Sequence, residues 1–105
     1  MKPQRFLSKI AYVGLPFLLI CTVSQAGDIN KGRPLYGSNC AVCHGQTGQS
    51  VMVGAPNFNR GESLLRPAST LLASIRSGKN ACPAFRGILA DRDILDVIAF
   101  VRTLH

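Results

Sequence analysis

The clearest pattern of apolar positions lies near the end of the printed sequence. From Asp91 to Leu104, apolar residues recur at intervals of three and four, which is the spacing of one face of an α-helix. Asp91 and Asp93 fall in its first turn, where carboxylates suit the positive end of the helix dipole. The pattern therefore predicts a helix from about Asp91 to Leu104, whose apolar face consists of Ile94, Val97, Ile98, Val101 and Leu104.

A second helix is predicted from Pro67 to Ser77. Proline is favoured at a first helical position because its missing amide hydrogen would have no helical partner there. Gly78 follows as a stop signal. The segment has one apolar face, formed by Leu71, Leu72 and Ile75.

Residues 28–40 predict a first helix, but Pro34 in its middle disfavours helical structure. Asp28 is a suitable N-cap, and a helix that begins there would reach Cys40 on its last turn. Pro34 has no amide hydrogen, and inside a helix its ring opposes the carbonyl four residues earlier, at a cost of about 3 kcal/mol. We therefore expect a short or bent helix, which either kinks at Pro34 or begins there.

The segment from Gly45 to Gly61 is rich in Gly, Asn, Gln and Pro and has no helical period. It predicts a long loop. A loop of this length is unusual in a small domain unless it has a function, such as enclosing a ligand. Since no segment shows the alternation of a strand, the expected fold class is all-α, with helices joined by long loops.

Residues 1–26 have a different pattern. Three basic residues precede an almost unbroken apolar run over residues 10–23, and residues 24–26 read Ser-Gln-Ala. This order is typical of a signal peptide. The run is shorter than the ~20 apolar residues that span a bilayer, which disfavours an uncleaved anchor. We expect cleavage near Ala26, export to the periplasm, no stable membrane insertion afterwards, and one domain over residues 27–105.

Cys40-Ala41-Val42-Cys43-His44 is the c-type haem attachment signature. Two thiols at this spacing add across the porphyrin vinyl groups, and the histidine behind them becomes a ligand of the iron. A disulfide, a redox dithiol or half of a zinc site are the alternatives for such a pair. A neutral His44 needs an acceptor for its other ring nitrogen, and the carbonyl of Pro56 is the candidate.

Removal of the leader changes the charge. The whole chain has twelve Lys and Arg against five Asp and Glu, a net charge of +7. Three of the basic residues lie in residues 1–26, so residues 27–105 keep nine basic against five acidic residues. This balance does not imply nucleic acid, and a mildly positive face suits an acidic redox partner. Because a chain this short seldom builds a sufficient core alone, haem would supply its apolar centre.

With these residues in place, the chain resembles the class I cytochromes c over nearly all of residues 27–105. That family has a first helix ending in Cys-x-x-Cys-His, a loop ending in Gly-x-Pro, a middle helix, a Met-Pro-x-Phe loop and a C-terminal helix. The matches begin with the haem motif and continue with Gly54 and Pro56. The resemblance implies that Gly32 and Phe100 lie where the terminal helices cross, and that Phe58 and Phe85 line one covalently bound haem.

One position departs from the family pattern. Where Met-Pro-x-Phe is expected, the chain reads Cys82-Pro83-Ala84-Phe85. Four interpretations stay open for this thiol: an axial thiolate opposite His44, a disulfide to another chain, a free or redox-labile thiol beside five-coordinate iron, or a different sixth ligand. The competing ligands would be Met52, Lys79 and His105.

The resemblance implies a periplasmic monohaem electron carrier rather than an enzyme, whose partner is a redox protein, with another cytochrome as one option. An axial Cys82 would lower its reduction potential, because an anionic sulfur favours ferric iron. The same ligand suggests two alternatives, which are binding or sensing of nitric oxide or carbon monoxide and a role in a sulfur-oxidising cytochrome complex.

Overall fold

The computed structural model describes Pro3, Gly14, Pro16, residues 18–20 and residues 26–105. The expected signal peptide therefore lies mostly outside the described residues. The regular elements are α1 (Ile29–Asn39), α2 (Ala41–His44), a 3-10 helix (Phe58–Arg60), α3 (Ala68–Ser77) and α4 (Asp91–Val101). Residues 26–105 contain no strand, only an isolated bridge between Lys79 and Cys82. The prediction of an all-α fold with long loops is confirmed.

Helix α1 begins at its predicted cap and continues through Pro34. The Asp28 carboxylate accepts hydrogen bonds from the amides of Asn30 and Lys31, at 2.9 and 3.2 Å. The idea that regular structure begins at Pro34 is wrong. Both Pro34 and Asn30 are exposed, so water can reach the carbonyl of Asn30 that the proline leaves without an amide partner.

The sequence predicted the haem motif at the end of α1. The structure instead places its residues Ala41–His44 on a separate helix, α2. Cys40 ends α1 and precedes α2, with φ −119° and ψ −34°. The amides of Cys43 and His44 both donate to the Cys40 carbonyl, at 3.2 and 3.0 Å. The chain thus changes direction at the first cysteine and presents the motif on one short turn.

Helices α1 and α4 cross at Gly32, where their backbones are in contact. Phe100 of α4 packs against Tyr36 of α1, with ring centroids 5.3 Å apart, and the guanidinium of Arg33 lies 5.1 Å above the Phe100 ring. The expected placement of Gly32 and Phe100 at the crossing is confirmed. This pair of helices forms the main core, which contains the buried residues Tyr36, Ala41, Leu64, Val97, Phe100 and Val101.

Helix α4 ends at Val101, three residues earlier than predicted. The amides of Thr103 and Leu104 donate to carbonyls three residues back, at 2.9 and 3.0 Å, and the Thr103 hydroxyl donates to the Phe100 carbonyl at 2.7 Å. These bonds tighten the chain into a turn. Leu104 still packs on the core, so its apolar periodicity is real although its backbone is not helical.

Helix α3 matches its prediction within one residue, with Pro67 as the N-cap. It packs on α4 through a second apolar cluster that contains Leu71, Leu72 and Ile75. None of its residues is fully buried, because much of its apolar face borders an internal cavity. Among the described residues, no helix is long and apolar enough to cross a membrane.

Candidate haem site

A cavity of about 500 Å³ opens between α2, the loop after it, α3 and the Cys82 loop. Its volume is within the range of ordinary cofactor pockets. The structure brings all seven residues that the sequence assigned to the haem site to the wall of this one cavity. These residues are Cys40, Cys43, His44, Pro56, Phe58, Cys82 and Phe85.

The ring of His44 is held from two directions. Its Nδ1 lies 3.0 Å from the carbonyl oxygen of Pro56, the contact expected from the sequence. Because a carbonyl can only accept, Nδ1 carries the hydrogen, and the Nε2 lone pair of the neutral ring is left to bind a metal. The ring of Phe58 stacks on His44 with centroids 4.3 Å apart and planes 17° apart. This stacking was not predicted, since sequence alone gives Phe58 no orientation.

The two motif cysteines are half-buried, and no disulfide joins Cys40, Cys43 or Cys82. Burial, together with the neighbouring thiols of Cys82 and Cys43, raises the pKa of Cys40 to about 11. Before haem attachment, this thiol is therefore neutral at physiological pH. Two unbridged thiols, one at the N-cap of α2 and one within it, meet the requirement for two thioether bonds to a porphyrin.

Tyr36 contributes to the site in a way that the sequence did not reveal. Its side chain is 1% exposed, and its hydroxyl donates a 2.7 Å hydrogen bond to the carbonyl of Gly45, the residue after His44. Burial first, and then the neighbouring Cys40, raises the pKa of Tyr36 to about 12. The phenol therefore keeps its hydrogen at neutral pH and ties the end of α2 to α1.

Cys82 lies in a closed turn, and the backbone after it is fixed to the C-terminal end of α3. Lys79 and Cys82 exchange amide-to-carbonyl hydrogen bonds of 3.1 and 3.0 Å around a turn in which Asn80 has φ 55°. The amides of Phe85 and Arg86 then donate to the carbonyls of Ile75 and Arg76, at 3.1 and 3.2 Å. The first pair closes the turn that carries Cys82, and the second pair attaches the segment after it to α3.

The Cys82 thiol is half-buried and packs with the second apolar cluster. Burial, followed by the nearby Cys43, raises its pKa, which a hydrogen bond with the Lys79 backbone partly offsets. The free side chain is accordingly a neutral thiol. A metal would displace its proton, because coordination deprotonates a thiol outright.

The other three candidate ligands differ in position. Lys79 and Met52 line the cavity, whereas His105 does not. The amide of Met52 donates to the Cys43 carbonyl at 3.2 Å, which keeps this methionine beside the haem motif. Lys79 belongs to the same turn as Cys82. Of these three, Lys79 is thus the one that shares the Cys82 side of the cavity.

Arg66 and Ser63 also line the cavity, and neither was expected from the sequence. Ser63 adopts φ 66°, an uncommon conformation for a residue with a side chain. No Asp or Glu lines the cavity, while Arg66 and Lys79 do. The charged part of the wall is therefore basic, which suits a ligand with carboxylates.

These features define a small c-type cytochrome. Its helices surround one cavity, a Cys-x-x-Cys-His turn lies on the cavity wall, and the histidine is fixed through Nδ1. The cavity fits haem on three counts: its volume, its two unbridged thiols, and its apolar and basic wall. When bound, the haem supplies an iron that gains and loses one electron. Cys40 and Cys43 are the residues that would hold it covalently, and His44 would bind the iron.

Comparison with known proteins agrees with this class. Residues 27–101 match the family model described as "Cytochrome C oxidase, cbb3-type, subunit III". The chain is 33% identical over 102 residues to a cytochrome c6 of Thermostichus vulcanus, covering 93% of this chain and 89% of that protein. A cytochrome c6 of Thermosynechococcus vestitus is 32% identical over the same shares.

A solved structure of cytochrome c6 from the diatom Phaeodactylum tricornutum superposes with a TM-score of 0.60 at 32% identity, covering 73% of this chain and 93% of that one. The chain belongs to the cytochrome c family and is homologous to cytochrome c6. It is a monohaem electron-transfer protein with one covalently bound haem c and its iron, rather than an enzyme.

Proposed function

We propose that residues 27–105 form a periplasmic electron carrier of low reduction potential, whose haem is bonded to Cys40 and Cys43 and whose iron is ligated by His44 and Cys82. Pro56, Phe58 and Phe85 complete the haem site in this proposal. The observation that carries it is that Cys82 borders the same cavity as His44, on a loop that two backbone hydrogen bonds fix to α3.

The position of Cys82 supports ligation over the other fates of the thiol. The side chain packs against the apolar cluster of α3 and α4 rather than projecting into solvent, which disfavours a disulfide to another chain. Met52 is hydrogen-bonded through its amide to Cys43, on the side of the motif, and His105 is absent from the cavity wall. The remaining competitor is Lys79, which precedes Cys82 by one turn.

A cysteine ligand has a definite functional consequence. An anionic sulfur stabilises ferric iron relative to the neutral thioether of a methionine. A carrier ligated by His44 and Cys82 would therefore accept electrons only from donors of low potential. Its partner would be a redox protein, with another cytochrome as one option, and Arg66 and Lys79 on the cavity wall favour a partner with an acidic face.

The leader supports the proposed periplasmic localisation. Residues 1–26 have the order of a signal peptide, and c-type haem is attached outside the cytoplasmic membrane, where such a leader would direct the chain. Cleavage after Ala26 would begin the mature chain at Gly27, directly before the α1 cap.

The decisive experiment compares the wild-type protein with Cys82→Met and Cys82→Ala after periplasmic expression with haem maturation. We expect the wild-type ferric protein to be low-spin with sulfur-to-iron charge-transfer bands. Cys82→Met should raise the reduction potential by more than ~60 mV, which corresponds to a tenfold change for one electron. Lys79→Ala is the matched control from the same turn and should leave the ferric spectrum unchanged.

Two outcomes would contradict ligation by Cys82. An unchanged ferric spectrum in Cys82→Ala would show that the thiol does not bind the iron. A wild-type dimer that a reductant splits would show that the thiol bridges two chains. Carbon monoxide uptake by ferrous wild type, but not by Cys82→Met, would favour the gas-binding alternative, in which the sulfur leaves on reduction. A persulfide on Cys82 in protein incubated with thiosulfate would favour the sulfur-oxidation alternative.

A further inference from the structure

Asp96 is the only charged side chain that is buried among residues 26–105, and the haem site does not use it. The residue is 1% exposed. Its Oδ1 accepts the amide of Asp28 at 2.7 Å and faces Nε of Arg92 at 3.5 Å. Both contacts fall on one oxygen, and no described residue donates to Oδ2. A buried carboxylate is costly unless its charge is compensated, and the half-exposed Arg92 on Oδ1 leaves Oδ2 free to accept a further donor.

The segment that touches Asp96 is the expected start of the mature protein. The Arg92 guanidinium donates to the Ala26 carbonyl at 3.1 Å. Gly27 packs so closely on α4 that a Cβ there would collide with the Leu95 carbonyl oxygen and lie 2.9 Å from the Ala99 Cβ. Residues 26–28 are therefore held along α4, and position 27 has no room for a side chain.

We infer that cleavage after Ala26 completes the Asp96 site, because the α-ammonium that it creates on Gly27 forms an ion pair with the Asp96 carboxylate. This inference rests on the cleavage point in the proposed function. Hydrolysis adds one water to the Ala26–Gly27 bond: the Ala26 carbonyl leaves as a carboxylate on the leader, and the Gly27 nitrogen becomes a protonated amine. The peptide bond is thus replaced by a positive charge beside a buried carboxylate whose Oδ2 has no donor among the described residues.

The distances allow this pairing. Consecutive backbone nitrogens are ~3–4 Å apart by standard bond lengths. Since the Asp28 nitrogen already lies 2.7 Å from Oδ1 of Asp96, the new amine reaches the carboxylate by rotation about the Gly27 backbone. An α-amine has an ordinary pKa of roughly 7.7–8.0, so it is protonated at neutral pH.

The neighbouring charges do not prevent it. Asp28, the nearest other carboxylate, is engaged with the amides of Asn30 and Lys31. Arg92 repels the amine, but its side chain is 48% exposed. It also loses its acceptor when Ala26 leaves, so it can turn toward water. The Asp93 carboxylate faces away, toward the amide of Ala90.

The test is a double cycle on the haem-loaded mature protein. The N-terminal amine is acetylated with limiting acetic anhydride near neutral pH, where it reacts before lysine because its pKa is lower. In wild type we expect acetylation to reduce the folding equilibrium constant about tenfold, the loss typical of one hydrogen bond to a charged group. In Asp96→Asn, whose Oδ1 can still accept the Asp28 amide, we expect less than a twofold loss.

Equal losses in the two chains would overturn the inference. Should Asp96→Asn fail to fold, a chain with one serine inserted between Ala26 and Gly27 replaces it, and an unchanged stability of that chain would overturn the inference as well. Intact mass of the mature protein decides the starting point, since a terminus other than Gly27 also overturns it. The haem spectrum is measured separately and tests only the proposed ligation by Cys82. A negative result for the Gly27 amine therefore does not bear on that ligation.

Discussion

Gly32 in α1 lies directly against the backbone of Asp96 in α4, so that a Cβ on Gly32 would collide with the Asp96 carbonyl carbon and oxygen and lie 2.9 Å from the Val97 amide nitrogen. Glycine usually weakens a helix, at a cost of about 0.5–1 kcal/mol relative to alanine. Here the missing side chain permits the two terminal helices to touch. The closest approach in the core thus depends on one residue that local propensity alone would disfavour.

The first prediction compares two glycines of α1. Gly32→Ala should destabilise the holoprotein by about 1–3 kcal/mol, because the added Cβ meets the rigid backbone of α4. Gly37→Ala is the matched control, since no atom lies within 4 Å of a Cβ at that position. It should be neutral or stabilise by up to ~1 kcal/mol. Guanidinium unfolding followed by tyrosine fluorescence and circular dichroism measures both, and equal effects would contradict the close helix contact.

The second prediction concerns the hydrogen bond from Tyr36 to Gly45. Tyr36→Phe should cost about 1 kcal/mol at neutral pH, because the Gly45 carbonyl loses the Tyr36 hydroxyl and keeps only the Gly48 amide, at 3.2 Å, as a donor. Burial raises the pKa of Tyr36 to about 12 in the folded chain, above its ordinary value of 10.0. The neutral phenol therefore stabilises the fold fully below pH 10, and this stabilisation is lost as the pH rises from 10 through 12.

Urea unfolding of wild type and Tyr36→Phe at several pH values tests the sign. The stability difference between the two chains should be constant up to about pH 9 and then shrink. The phenylalanine variant serves as the control, since every other alkaline change is common to both chains. A difference that grows with pH would mean that the phenolate, not the phenol, is favoured in the folded state.

The sequence predicted those parts of the structure that depend on local pattern or local chemistry. The face of α4, the Asp28 cap and the Cys-x-x-Cys-His turn all lie within one or two turns of chain. The resemblance added the crossing of Gly32 with α4. The sequence analysis missed or wrongly predicted the features that depend on solvent exposure or on contacts with backbone far away in the chain. Pro34 is tolerated because its helix face is exposed, and α4 stops early because Thr103 bonds to Phe100.

Contacts across the chain were beyond prediction for a similar reason. Nothing in the sequence near Tyr36 indicates that its hydroxyl meets Gly45, or that Phe58 stacks on His44. The first contact joins the residue after α2 to α1 and the second folds the loop back on α2, so both depend on the packing of the whole domain. The thiol at Cys82 was noticed because it departs from a family pattern, but its attachment to α3 depends on backbone hydrogen bonds that leave no sequence signature.

The third prediction concerns the structural part of the haem. Helix α3 has no fully buried residue, and its Leu71 and Ile75 face the cavity. The double variant with Cys40→Ala and Cys43→Ala cannot attach haem. It should therefore lose α3 and much of its remaining helicity. Far-ultraviolet circular dichroism of this chain and of the haem-loaded wild type decides the matter. Native helicity without haem would show that the apolar contacts between helices suffice.

The last prediction tests whether the backbone around Cys82 controls the iron site, using two glycines of positive φ. Gly78 has φ 75° and Gly87 has φ 81°, so alanine is strained at both positions. Only at Gly78 would a Cβ also press on the Cys82 loop, at 2.8 Å from the Ala84 nitrogen and 2.9 Å from the Cys82 carbonyl oxygen. At Gly87 it would meet open space. Both variants should lose about 1 kcal/mol or more of stability through the backbone.

Gly78→Ala should in addition change the ferric spectrum and weaken the sulfur-to-iron bands, because the loop must move away from α3 to make room. Gly87→Ala should keep the wild-type spectrum at its lower stability. The comparison separates the effect of moving Cys82 from the effect of lower stability. Backbone strain is common to both variants, whereas only Gly78→Ala displaces Cys82. If the two spectra match wild type equally well, the loop is more compliant than its two hydrogen bonds to α3 imply. If both change alike, global destabilisation rather than the position of Cys82 governs the iron site.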